Sequence, residues 1–232
     1  MRAIRLSVRQ GLYFCISMVN KKTHPLRSLI KQGENVHLDF KFEVSDAAKI
    51  ARSLVAFANT QGGTLLIGVK DNGAIAGIRS EEEYYMIDQA ATLYCQPEVS
   101  FITKEWTLEG KMVLEVIVPK SNLLPHRAPD MQGIYKAFVR VKDQIVLANG
   151  IQMKVWKKMA LDNPVVIVYS EQVKRLLLTI ENNPSVGFDE IKNTLEISKH
   201  QLEEMLSDFI VLGVISLTDD NGKITFNMID NE

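Results

Sequence analysis

Cysteine is close to absent from this chain: Cys15 and Cys95 are the only two among 232 residues. Two thiols build neither a disulfide framework nor a thiolate zinc site, and four scattered histidines do not complete a ligand set. No structural metal is expected, and a reducing cytoplasm is the expected compartment. Long apolar runs are missing as well. The start, MRAIRLSVRQGLYFCISM, has the basic-then-apolar profile of a secretion signal, yet its apolar patch from Gly11 to Val19 is too short to cross a bilayer and no small-x-small cleavage site follows. Residues 1–19 therefore read as an N-terminal extension with Met18 as the expected start of translation, and no membrane partner is expected. Two phosphate-binding signatures are lacking. No Gly-x-Gly-x-x-Gly occurs, which removes a dinucleotide fold. The stretch GTLLIGVK (residues 63–70) has the glycine spacing of a P-loop but no Gly-Lys-Ser/Thr, and the residues between its glycines read as an apolar strand whose amides go to sheet partners. ATP is accordingly not expected as a cofactor.

Acidic residues are missing from the first 33 positions, which hold seven Lys and Arg. From Glu171 onward the balance reverses: five Lys and Arg face twelve Asp and Glu, a net −7 that leaves +6 on the preceding residues and −1 overall. A basic front and an acidic tail predict two domains with different partners.

Periodicity gives the elements. PLRSLIKQG, bracketed by Pro25 and Gly33, reads as a short helix. The alternation of Val36, Leu38, Phe40 and Phe42 predicts a strand over 36–44 with His37 facing outward. Ser45 is the expected N-cap of an amphipathic helix ending near Asn59, with Lys49, Arg52 and Ser53 on its polar face. TLLIGV, apolar on both faces, predicts a central strand, and Asp71-Asn72-Gly73 a tight turn into a returning strand AIAGI. Ser80 and Glu83 predict a capping box for a helix reaching Tyr94. VSFITKEWTL and KMVLEVIVP form a second hairpin about Glu109-Gly110, and AFVRVKDQIVLA a further strand pair. Met153, Trp156 and Met159 recur at helical spacing and are expected in a core or interface. A linker over 161–170 then leads to three helices and a hairpin turning at Asp220-Asn221-Gly222, the order of a winged helix-turn-helix over 171–232.

The stretch VAFANTQGGTLLIGVKDNGAIAG (residues 55–77) concentrates the turn signals. Gly62-Gly63 reads as the reversal between helix and central strand, Asn59 as the residue fixing that turn, Gly68 as a point of close backbone packing and Gly73 as the turn glycine. Together with GENVHLDFK before it and FVRVKDQ after it, this stretch resembles the Schlafen-type AlbA-like domain over roughly residues 25–155. The resemblance implies an α+β fold, a mixed sheet with flanking helices over residues 20–160, followed in many bacterial members by a winged helix. It also implies nucleic-acid binding, with the label transcriptional regulator. The label ATP-binding, sometimes attached to the family, gains no support from the glycine spacing above.

Two readings of the site follow. Under the first, DNA is the partner, RNA being the other nucleic acid the resemblance allows, and Lys41, Lys49, Arg52, Lys70, Arg140 and Lys142 contact phosphates, with Arg140 placed to do so bidentately. Arg127 and His126, after Pro125, sit in a loop read as exposed. Under the second, Glu34, Asp39 and Asp71 match the acidic centre of Schlafen relatives that cut RNA, and would hold Mg²⁺ or Mn²⁺. Asp39 is one methylene shorter than the usual Glu there, and Asp71 is equally suited to opening its own turn. In the C-terminal module Lys199, His200 and Gln201 suit a DNA groove, whereas Glu203, Glu204 and Asp208 would repel phosphate. That module is expected either to read DNA or to mediate contacts between proteins, a homodimer being the arrangement that paired half-sites favour.

Overall fold

The computed structural model describes residues 24–78, 82–161, 164–220 and 223–229. The expected N-terminal extension, the Ser80 cap and the Asn221-Gly222 turn lie outside them. The chain divides into two compact units, Met1–Gln32 and Gly33–Glu232. In the first, helix α1 (Pro25–Ile30) starts on its proline, and His24 Nδ1 accepts from the Leu26 amide at 3.3 Å.

The second unit is built on a four-stranded sheet of β1 (Leu38–Lys41), β2 (Gly63–Ile67), β3 (Ile102–Leu108) and β4 (Lys111–Val118), in the order β1-β2-β4-β3. β1 runs parallel to β2, and β2–β4 and β4–β3 are antiparallel, so the sheet is mixed. TLLIGV is central as its two apolar faces require: Leu65, Leu66, Ile67 and Val69 are fully buried. The first strand is shorter than its alternation predicts. Phe42 leaves the sheet and is 41% exposed, with the Lys70 ammonium 5.3 Å from its ring centre.

Helices α2 (Ala47–Asn59) and α3 (Glu82–Leu93) supply most of the core that packs on this sheet. The N-cap of α2 is Asp46 instead of Ser45; its Oδ1 accepts from the amides of Ala48 and Lys49. Either side chain can cap; Asp46, with extended backbone, is the one that does. The polar face assigned to α2 is also narrower than expected, because Ser53 is buried and Arg52 half-buried. A hairpin of β7 (Phe138–Val141) and β8 (Gln144–Leu147) covers that side, and the short pair β5 (Ala128–Pro129) and β6 (Tyr135–Lys136) lies beside it.

The Glu109-Gly110 turn joins β3 to β4 as read, both residues lying at positive φ. AIAGI does not form a strand. Its contact with the central run is the isolated Val69–Ile75 bridge and the amides of Ala76 and Gly77 donating to the Gly68 carbonyl, and the Ile78 amide passes on to the Met112 carbonyl. The backbones of Gly68 and Gly77 meet here: a Cβ on Gly68 would sit 2.8 Å from the Gly77 carbonyl carbon.

Helix α4 (Gly150–Ala160), capped by Asn149, links two hydrophobic clusters. Trp156 packs with Ala137, Val139 and Val141, while Ile151 and Val155 join the C-terminal cluster. That cluster is formed by α5 (Glu171–Asn182), α6 (Phe188–Leu195), α7 (Lys199–Val211) and a three-stranded sheet in which β11 (Lys223–Met228) lies between β10 (Ile215–Asp220) and β9 (Val186–Gly187). Ser170 and Ser198 cap α5 and α7. Among the described residues no helix is long and apolar enough to cross a membrane.

Candidate nucleic-acid interface

The C-terminal end of α2 anchors three separate chain segments. Asn59 Nδ2 donates to the carbonyls of His126 (2.9 Å) and Phe138 (2.8 Å), and its Oδ1 accepts from the His126 amide (2.8 Å). Thr60 Oγ1 accepts from the Arg140 amide at 2.9 Å. The Asn-Thr of AFANT therefore binds the 121–127 loop and strand β7 to the helix, and the reversal at Gly62 is closed by its own amide on the Phe57 carbonyl. This corrects the role read for Asn59, whose amide serves distant backbone and not the neighbouring turn. Gly63 lies against Phe57: a Cβ there would stand 2.2 Å from the ring.

Arg140 corrects a second expectation. It is buried to 3% exposure, and Nη2 donates to the carbonyls of Asn35 (2.7 Å) and Leu38 (3.2 Å). Nη1 lies 3.3 Å from Asp39 Oδ1, and the guanidinium stands over the Phe57 ring at 4.9 Å. Its Nε and Nη1 make no hydrogen bond among the described residues, but the side chain is fully buried, so this guanidinium is a core strut out of reach of a phosphate. Lys41 closes the same group: its Nζ is 2.6 Å from Asp39 Oδ2, an ion contact off the angle of a hydrogen bond, and donates to the Phe40 carbonyl.

Of the three carboxylates, two come together. Glu34 Oε1 accepts from the Phe40 amide at 2.9 Å, and its carboxyl is pushed above the usual carboxylate range, first by burial and also by the Asp39 carboxylate beside it. Asp71 stands apart and exposed on the 70–74 turn, where Asn72 Oδ1, not Asp71, accepts from the Ala74 amide, and Gly73 takes the left-handed position. Among the described residues no three of His, Cys, Asp or Glu form a group that could hold a metal ion. The charge on Asp39 is met by Arg140 and Lys41 instead.

The remaining predicted cations do not gather. Lys49 is exposed on the first turn of α2, Arg52 Nη1 donates to the Pro129 carbonyl at 3.3 Å, Lys142 sits at the left-handed position of the β7–β8 turn, and Lys199 lies 3.7 Å from Glu203 at the start of α7.

A different basic edge exists, drawn from the 119–127 loop and α4. His126, read as exposed, is buried beneath it: Nδ1 pairs with the Pro97 carbonyl at 2.8 Å and Nε2 with Ser121 Oγ at 2.7 Å. With His126 pinned there and at its backbone by Asn59, the neighbouring side chains face out. Lys120 and Arg127 are exposed on the loop and Lys157 on α4. Arg127 and Lys157 line a groove of about 340 Å³, and Arg127 a connected space of about 590 Å³ floored by Trp156 and the Leu123–Pro125 segment. Lys120 lines a cavity of about 160 Å³ on the far side of Leu123, together with Glu98. Sequence reasoning singled out Arg127 but missed Lys120 and Lys157, whose proximity depends on the fold.

The acidic face of α7 is also accounted for. Glu204 pairs with both Lys154 and Lys158 of α4, and Lys158 lies 2.6 Å from Asp208. The two ammonium partners hold the Glu204 carboxyl down at about 2, and Glu204 in turn raises the Lys154 ammonium. The acids that would repel DNA are therefore spent inside the molecule. A carboxyl held below its unfolded value contributes stability that is present above about pH 4.5 and lost as the pH falls toward 2. We expect the difference in melting temperature between the natural chain and E204Q to be nearly constant from pH 7 to 5 and to shrink steadily from about pH 4.5 toward 2; a difference that keeps its neutral-pH size down to pH 2 would show that the pairs do not supply it.

The scaffold defines the class first: an α+β domain whose short mixed sheet carries a wrapped helix ending in a backbone clamp. Residues 34–149, half of the chain, match the family model described as Schlafen, AlbA_2, and the chain belongs to that family. The DIP2311 protein from Corynebacterium diphtheriae is similar to 94% of this chain at 16% identity and a TM-score of 0.42, and the chain spans 38% of its length. The N-terminal domain of an ATP-dependent DNA helicase RecG-related protein from Nitrosomonas europaea is similar to 64% of this chain and 97% of its own, at 17% identity and a TM-score of 0.35. No curated protein matches the chain.

Proposed function

We propose that this chain binds nucleic acid through the phosphate backbone, with Lys120, Arg127 and Lys157 as the contacting cations. The observation that carries the reading is that these three cations are exposed and, among the described residues, in no ion pair, Arg127 and Lys157 lining one groove and Lys120 a separate cavity bordered by Leu123, while Arg140 and Lys41 of the same unit are held by Asp39. The placement of Lys120 and Arg127 on a loop clamped at both backbone and side chain, and of Lys157 on a helix, supports it, since phosphate contacts need donors on a rigid frame. The excess of +6 before Glu171 adds long-range attraction. DNA in a bacterial cytoplasm is the target we assign, and transcriptional regulation the role.

The region from Glu171 onward has the helix and strand order of a winged helix, but its third helix packs on α4. We therefore assign that region to contacts between proteins, a second copy of the chain foremost, and not to reading a groove. The separation of Asp71 from the Glu34–Asp39 pair weighs against the nuclease reading. The test is anisotropy of the full chain with labelled DNA across a salt series. Binding should weaken steeply with salt; absence of binding at 20–50 mM salt, a range of about one Debye length of 14–22 Å, would contradict the proposal.

A further inference from the structure

The basic edge borders an apolar floor that phosphate contacts alone do not use. Leu123 is 69% exposed and Met159 61% exposed, and between them lie Leu124, Pro125 and the edge of Trp156. Apolar side chains this open cost hydration free energy unless something covers them. Among the described residues, every charged side chain lining the two adjoining spaces is a cation: Arg127, Lys154 and Lys157. Lys154 is held by Glu204, whereas Arg127 and Lys157 make no ion pair among the described residues. Volumes of about 340 and 590 Å³ fall within the roughly 300–1,000 Å³ typical of small-ligand sites.

From this juxtaposition we infer that the groove between the 119–127 loop and α4 takes an unpaired nucleotide of a single-stranded nucleic acid, its base on the Leu123–Met159 floor and its phosphate between Arg127 and Lys157. The inference rests on the nucleic-acid reading above and extends it to the strandedness of the target. A duplex keeps its bases stacked inward and offers this surface only phosphates, leaving the floor bare. A single strand offers a flat apolar face and an anion on one unit, which matches an apolar floor whose described charged neighbours are all cations. A protein segment would need both acidic and apolar groups to do the same.

The experiment measures binding of the full chain to labelled oligothymidylate and to a duplex of equal length at one salt concentration. The natural chain should prefer the single strand. L123S/M159S, which alters two exposed side chains and leaves the core intact, should weaken single-strand binding by at least about fivefold, the lower end of what one stacked base contributes, and leave duplex binding where it was. R127A/K157A should weaken both. Equal binding of the two ligands with no response to L123S/M159S would overturn the base site while the nucleic-acid reading stands. Loss of self-association in L123S/M159S without any change in affinity would also overturn it, assigning the floor to contacts between copies. Failure of the natural chain to bind either ligand would remove both readings together.

Discussion

Replacing Arg140 by methionine is expected to lower the unfolding free energy by about 3–5 kcal/mol, the cost of breaking a buried pair from one side. Methionine fills much of the same volume, so the loss reports charge and hydrogen bonding more than a cavity. The change removes the donors to the Asn35 and Leu38 carbonyls and leaves Asp39, 4% exposed, facing Glu34 with Lys41 alone to balance two carboxylates. Asp39→Asn in the R140M background should recover part of the loss, because the amide no longer brings a buried charge. Urea denaturation of the natural chain and the single and double variants reads this directly. Were Arg140 a surface phosphate ligand, R140M would melt like the natural chain and lose only binding.

The second large effect is expected at Gly62. Its φ is +75°, and a Cβ would lie 2.8 Å from both the Lys120 amide nitrogen and the Val118 carbonyl oxygen. Gly62→Ala thus combines left-handed strain of roughly 1–2 kcal/mol with a clash against backbone that no rotamer change relieves, a total of about 2–4 kcal/mol. Gly110 is the control. Its φ is +73° with nothing within 4 Å of the added carbon, so G110A should show the strain alone, roughly 1–2 kcal/mol. Because the Gly62 clash falls on Lys120, G62A should also disturb the loop that carries the basic edge, and its nucleic-acid affinity should fall where that of G110A does not. Equal melting temperatures for the two variants would contradict the close approach.

Local chemistry made much of this fold legible. The Glu109-Gly110 turn and the apolar run from Leu65 to Val69 are each decided within a few residues, and each element formed where those residues placed it. What stayed hidden was decided at long range. The partner of Arg140 lies about a hundred positions earlier, and nothing near FVRV distinguishes a core guanidinium from a surface one. His126 looked exposed because its loop is polar and proline-containing, yet Asn59, Pro97 and Ser121 converge on it. The acids of α7 read as an obstacle to DNA only because helical periodicity cannot say that lysines of α4 face them. The proposed contact edge was the least legible: Arg127 and Lys157 line one groove through the Asn59 clamp and the packing of Trp156, two tertiary events without a sequence motif.

The most direct test of the account is the slope of log binding constant against log salt for the natural chain and for K120A/R127A/K157A. Each phosphate contact contributes about 0.7–0.9 to that slope. Removing three cations that touch phosphate should flatten it by about 2–3 with the melting temperature unchanged. An identical slope in the two proteins would place the phosphate contacts elsewhere and refute the assignment of this edge.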